Sequence, residues 1–209
     1  MKEKNFERAL PAGYKQALYI NAKDIKLGII LNLIALAVLG IVMAAAIASL
    51  GFADKLSLEA FAIDPLKLLV AYFVLFASMI LYTVLHELVH GVVYKTLTGE
   101  KLTFGISWSC AFCGVPHIFV YRRSSIISVI APFTLFTLLF IPLLIILYFV
   151  SPLYYLIVAF IFGLHLGGCS GDLYIFYLLT TKFKNDKTLI RDTGPEQYFY
   201  VPCTQDDHV

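Results

Sequence analysis

The sequence predicts an all-α membrane protein: about four transmembrane helices, with a small β-like hairpin or re-entrant loop between the second and third. Three observations carry this expectation. Of 209 residues, 60% are hydrophobic and only 14% charged, with a mean hydropathy of +0.83; a soluble domain runs nearer about 45–50% apolar and 25% charged. Four apolar stretches each exceed the roughly 20 residues a helix needs to cross the hydrocarbon core. The segment 101–123 between the second and third is shorter, less regular and β-like in composition. Seventeen Phe and thirteen Tyr suit lipid-facing and interfacial positions. The net charge of +2 gives no basis for a nucleic-acid partner; the partner that composition implies is the lipid bilayer.

In chain order, residues 1–26 form a polar tail with a turn at Pro11-Ala12-Gly13 and a short strand candidate at Tyr14–Ile20. It is too long for the charged start of a signal peptide, and an uncleaved anchor is expected to follow. Leu27–Leu50 carries no charge and is the first span. Gly51–Pro65 connects it to the second, about 66–97, with Pro65 suited to a helix first turn. That stretch exceeds one crossing, so it must tilt or project. Within 101–123, Leu102–Ser109 and Ile118–Tyr121 read as short strands around Gly114 and Pro116. The third span, 124–150, contains Pro132 and Pro142, where kinks are expected. Ser151-Pro152 is a tight turn into an antiparallel fourth span, 153–181, broken in character at Gly163–Asp172, where small residues permit close helix approach. The polar tail 182–209 includes Asp192-Thr193-Gly194-Pro195 and a strand candidate, Gln197–Val201. The whole reads as one domain, 1–209.

Charge asymmetry sets the orientation. Lys2, Lys4, Arg8, Lys15, Lys23 and Lys26 precede the first span. Lys101, Arg122 and Arg123, with Lys95 at the edge, lie between the second and third. Lys182, Lys184, Lys187 and Arg191 follow the fourth. The opposite side has Lys55, with Lys67 at its edge. The positive-inside rule puts both termini in the cytoplasm of a multi-pass protein, expected in a prokaryotic plasma membrane.

The motif that organises the chain is His86-Glu87-Leu88-Val89-His90, an H-E-x-x-H sequence in the second span. On a helix His86 and His90 share one face, one turn apart. Two imidazoles so spaced can hold one Zn²⁺ per chain, with Glu87 beside them to take a proton from a water. A chance match is the competing explanation. The setting weighs against it, because between Leu66 and Thr98 the only charged side chains are Lys67, Glu87 and Lys95, and ionisable groups in an apolar span are costly.

Catalytic zinc takes three protein ligands and keeps one open position. Candidates for the third are Asp172, His165, His117, and Cys110 with Cys113. Counted from the cytoplasmic ends of their spans, His90 and Asp172 lie at depths differing by roughly 3 Å, whereas His165 sits about 10 Å deeper. Depth therefore favours Asp172; its alternative is an ion pair with a Lys such as Lys182. His165 reads either as a support or substrate-cleft residue, or as a hydrogen-bonded packing histidine. His117 reads either as a donor near the site or as a plain loop residue. Cys110-x-x-Cys113 is a weak signal for structural zinc, which needs two further ligands, and a disulfide is not expected on the cytoplasmic side.

His86-Glu87-Leu88-Val89-His90-Gly91, Ala131-Pro132 in the next span and Ser170-Gly171-Asp172-Leu173 in the last resemble the family of putative zincin peptidases catalogued as DUF3267. The Asp192-Thr193-Gly194 tail with its aromatic strand is similar too. More distantly the layout is similar to site-2 proteases, intramembrane zinc metalloproteases, although this chain has Gly-Asp-Leu where they carry Leu-Asp-Gly. The resemblance implies His86, His90 and Asp172 as metal ligands and Glu87 as base. The expected function is zinc-dependent hydrolysis of a peptide bond, within or beside the membrane, in a membrane protein or peptide substrate. The alternative is a non-catalytic zinc-binding membrane protein that handles metal or serves as a partner-binding subunit. Few polar residues run through the spans, which disfavours a transporter. A structural zinc site is usually closed by four Cys/His ligands and has no use for Glu87.

Overall fold

The computed structural model describes residues 4–55, 64–106 and 111–203. In order they form β1 (Phe6–Glu7), β2 (Tyr14–Asn21), α1 (Ile25–Phe52), α2 (Pro65–Thr98), β3 (Thr103–Ile106), β4 (Ala111–Gly114), β5 (Phe119–Tyr121), α3 (Arg122–Val150), α4 (Pro152–Gly168), α5 (Ser170–Thr181), β6 (Leu189–Asp192) and β7 (Glu196–Pro202). Among the described residues, four helical stretches are long and apolar enough to cross a membrane: Ile25–Phe52, Leu68–Thr98, Arg122–Val150 and Pro152–Thr181. Their large apolar side chains, such as Leu33, Leu36, Ile41, Phe73, Phe76 and Leu138, are exposed, a surface that suits lipid and not water. The helix starts follow local chemistry. Asp24 Oδ1 accepts from Lys26 N–H at the head of α1, and Asp64 Oδ1 from Leu66 N–H at the head of α2.

The contacts divide the chain into two units. One comprises Met1–Ile29, Leu85–Pro132 and Gly171–Val209, and it is more than the all-α reading provides. A hairpin is present within 101–123, but as β3 paired with β4; the second expected strand, Ile118–Tyr121, is β5 and belongs to a different sheet. The strand candidates in the two tails, however, do not stand alone. They join β5 in a five-stranded antiparallel sheet of order β1-β5-β6-β7-β2. Its register aligns Phe6, Val120, Ile190, Phe199 and Leu18 in one row across all five strands. Because side chains alternate along a strand, the row shares one face. Val120, Ile190 and Phe199 are buried, and Ile190 and Phe199 pack with Val129, Ile175, Leu178, Leu179 and Phe183. Val120 packs with Tyr94, Val115 and Ile118. A bulge between Gln16 and Leu18 bends edge strand β2, a device that discourages pairing at an open edge.

The other unit holds Ile30–Val84 and Phe133–Ser170. Here α3 runs unbroken through Pro142 and stops at Ser151, and Pro152 opens α4. Lys55 Nζ donates to the Tyr148 carbonyl at 2.8 Å and lies 3.9 Å from its ring centre, a cation placed at the negative end of a helix. A Cβ on Gly167 would sit 2.7 Å from the Ala35 carbonyl oxygen, so α4 and α1 pack backbone to backbone there. The break expected in the fourth span falls at Cys169, where α4 ends and α5 begins.

Candidate metal centre

Along α2, His86, His90 and Tyr94 recur every four residues and share a face. His86 and His90 are buried, with ring centres 5.1 Å apart. The restart of the chain at Ser170 puts Asp172 in the first turn of α5, where unpaired backbone N–H groups favour a carboxylate. Asp172 Oδ2 lies 3.1 Å from His86 Nε2 and 3.4 Å from His90 Nε2. One ligand atom from each of the three lies within 4.8 Å of the others.

These spacings permit a test of fit. Ligands about 2.0–2.1 Å from a tetrahedral zinc stand about 3.3 Å from one another, which the two observed separations bracket. The imidazole tautomer fits as well. His90 Nδ1 lies 2.9 Å from the Ser128 carbonyl of α3. A carbonyl only accepts, so Nδ1 carries the hydrogen and Nε2 keeps its lone pair toward Asp172 and His86. Two His and one carboxylate are a donor set that zinc uses at catalytic sites.

Glu87, on the next position of the helix, is half-buried, and its carboxylate meets the backbone N–H of Cys113 on β4. Strands β3 and β4 thus come down on α2 beside the motif. Gly91 permits the approach, since a Cβ there would lie 2.6 Å from the Phe104 ring. Cys113 is buried, and burial pushes its thiol up to about 12, with Asp192 and Glu87 adding in the same direction. It is therefore a neutral thiol at physiological pH and no ready metal ligand. Cys110, the other half of the Cys-x-x-Cys pair, lies outside the described residues.

His117 is exposed in the turn before β5 and is not part of the His86, His90 and Asp172 group. His165 is fully buried in the other unit. The Tyr82 hydroxyl is 2.8 Å from its Nδ1 and Thr137 Oγ1 is 3.0 Å from its Nε2. The rings of Tyr82, Phe133, Phe136, Phe140 and Phe162 surround it. With both nitrogens engaged inside an aromatic box, it ties α2, α3 and α4 together as a packing histidine.

Three groups near the metal centre escape sequence reasoning. Ser128 acts through its carbonyl, which leaves no side-chain signal. Tyr94 follows His90 by one turn, and the motif's own periodicity points to it. Asp192 looks like one more acid in a polar tail, yet it is 4% exposed, and burial pushes its carboxyl up to about 6 against the lowering effect of the Tyr94 hydroxyl and Gly194 N–H.

Among known proteins, no curated protein and no solved structure matches the chain. The model of the family DUF3267, described as "Putative zincin peptidase", matches residues 79–187. That segment begins inside α2, ends beyond α5 and contains the H-E-x-x-H motif, the hairpin and Asp172. It amounts to more than half of the chain, and the protein accordingly belongs to the DUF3267 family.

Proposed function

We propose that the protein is a zinc-dependent peptidase that hydrolyses peptide bonds in membrane-embedded or membrane-proximal substrates. The observation that carries this reading is the convergence of His86, His90 and Asp172, with Asp172 Oδ2 3.1 and 3.4 Å from the two Nε2 atoms and one ligand atom of each within 4.8 Å of the others, and with Glu87 alongside and unneeded as a ligand. His86, His90 and Asp172 would hold the ion. Bound there, Zn²⁺ supplies Lewis acidity, lowering the pKa of water toward 7 and polarising a carbonyl. Glu87 accepts the proton of the attacking water and delivers it to the departing amine. The Ser128 carbonyl holds the His90 ring in the tautomer the reaction needs. An extended substrate would pair by strand addition with the β3–β4 hairpin, whose strands pair only with each other among the described residues. Phe104 and Ile106 on β3 are exposed, at 50% and 83%, and would offer it apolar contacts. The four apolar helices support a multi-pass membrane location, and the Lys/Arg distribution supports cytoplasmic termini.

Glu87→Gln tests the reading. It keeps the shape of the side chain and removes its proton affinity. Zinc content should stay near one per chain while cleavage falls by the ~10²–10⁴-fold that general-base catalysis contributes. Because the substrate must first be found, membrane proteomes of wild-type and Glu87→Gln cells are compared for uncut proteins. Wild-type cleavage by Glu87→Gln, measured on any substrate so identified, sinks the mechanism, whereas proteomes that do not differ favour the non-catalytic zinc protein.

A further inference from the structure

Tyr94 stands one turn beyond His90 on the same face of α2, and its hydroxyl donates to Asp192 Oδ2 at 2.7 Å. Both side chains are buried, with 2% and 4% exposure. Asp192 closes β6, and each of its acceptors is taken by a different neighbour. Oδ1 receives Gly194 N–H at 2.8 Å, and the backbone carbonyl receives Val115 N–H at 2.8 Å, just past the end of β4. Thr193 completes the turn by donating its N–H and hydroxyl to the Glu196 carbonyl, at 2.9 and 3.1 Å.

This turn bears directly on β4. A Cβ on Gly114 would lie 2.6 Å from the carbonyl carbon of Thr193 and closer still to Gly194 N. Gly194 has φ +97° and no room for a Cβ against the Phe112 ring. Turn and strand therefore meet backbone to backbone. On β4, between Phe112 and Gly114, sits Cys113, whose N–H meets the Glu87 carboxylate. A chain of contacts thus leaves α2 at Tyr94, passes through Asp192 and the turn to β4, and returns to α2 at Glu87. Packing alone does not call for it, since an apolar side chain at 192 would fill the space without needing buried donors. Asp192 also lies beyond the segment matched by the family.

We propose that Tyr94, Asp192 and the Asp192–Gly194 turn form a positioning clamp that holds the β4 backbone over α2, so that Cys113 N–H orients the Glu87 carboxylate for proton transfer. The clamp rests on the peptidase reading for its purpose but not for its geometry. Tyr94 and Asp192 are positioning residues: they act through β4 and touch neither metal nor substrate.

The test uses the full chain in detergent with Cys110, Cys169 and Cys203 replaced by Ser, so that Cys113 is the reporter thiol. Tyr94→Phe removes one oxygen from a well-packed ring and Asp192→Leu removes the acceptor. Loss of a hydrogen bond to a charged group raises the population of the released hairpin by about ten- to a hundredfold. Cys113 labelling by a maleimide should accelerate by that factor in both variants. The second readout is Co²⁺ loaded in place of zinc. Both variants should bind cobalt at wild-type content, and the pH at which its visible spectrum changes should move in the direction Glu87→Gln moves it. Wild-type labelling rates in the folded Tyr94→Phe protein overturn the clamp. Faster labelling with an unmoved cobalt spectrum also overturns it, because the hairpin would then be held without orienting Glu87. Neither readout needs cleavage: wild-type and Glu87→Gln membrane proteomes that do not differ sink the peptidase reading, whereas slow labelling sinks the clamp alone.

Discussion

Asp172 and Asp192 show how differently a carboxylate behaves according to what surrounds it. Asp172 faces two imidazole nitrogens at 3.1 and 3.4 Å at the head of a helix, a place for an anion that shares a cation. His86→Ala and His90→Ala are expected to leave the purified protein essentially without zinc, measured by elemental analysis against about one zinc per chain in the wild type. Asp172→Asn should weaken zinc binding by more than the ~10–100-fold typical of losing a partner outside the ligand set, measured by competition with a chelator. Full retention of zinc would assign the third ligand elsewhere. Asp192 is a carboxylate enclosed without a cation, and burial raises its pKa from 3.8 to about 6. A raised acid pKa means the folded state holds its proton more tightly than the unfolded chain. The stability this brings is complete below about 4 and is lost as pH rises through 6. Asp192→Asn cannot ionise. In metal-free protein, its melting temperature should therefore gain on the wild type between pH 4 and 7; parallel curves would contradict the assignment.

At the scale of elements, the sheet is where folding stability concentrates in its unit. Phe199 is fully buried in the five-residue row beside its central Ile190 and stacks on Phe183, ring centres 4.9 Å apart. Phe199→Ala is expected to cost about 3–5 kcal/mol, read as a lowered thermal midpoint, while Tyr198→Ala on the opposite face should cost far less. The sequence exposed the helices well because length and lack of charge suffice for that assignment. It exposed the pair His86 and His90 because their spacing is local. Asp172 emerged from depth arithmetic, although the helix break at Cys169 that makes it a helix-start residue was visible only as a run of small side chains. Strands β2, β5 and β7 were legible as candidates, but the sheet they form was not. β1 has two residues, too short for a periodic signal, and pairing of β2 with β7 joins positions more than 170 residues apart. Such a register is set by tertiary burial, and no local pattern encodes it.

For the whole molecule, the expectation is directional. With four spans, positions 2 and 208 should both react with a membrane-impermeant reagent only after the cell is opened, and a cysteine placed at Lys55 should react from outside. Labelling of either terminus in intact cells would reverse or break the arrangement. The charge pattern that supports this was fully legible, because it depends on composition of loops and not on contacts. The box around His165 was legible only as an isolated histidine, since its five aromatic partners come from three different helices.

The order of strands has a consequence for biosynthesis. β2 and β5 leave the ribosome early, yet β2 pairs only with β7, and β5 reaches the rest of the sheet only through β6. Both of those strands follow all the helices. Until they emerge, β2 lacks its sheet partner, the row of Phe6, Val120, Ile190, Phe199 and Leu18 is incomplete, and Tyr94 lacks the Asp192 carboxylate. The motif helix is synthesised long before its surroundings are complete. A nascent chain that stops short of β6 would thus carry the histidines without the enclosure that β6, β7 and Asp192 complete.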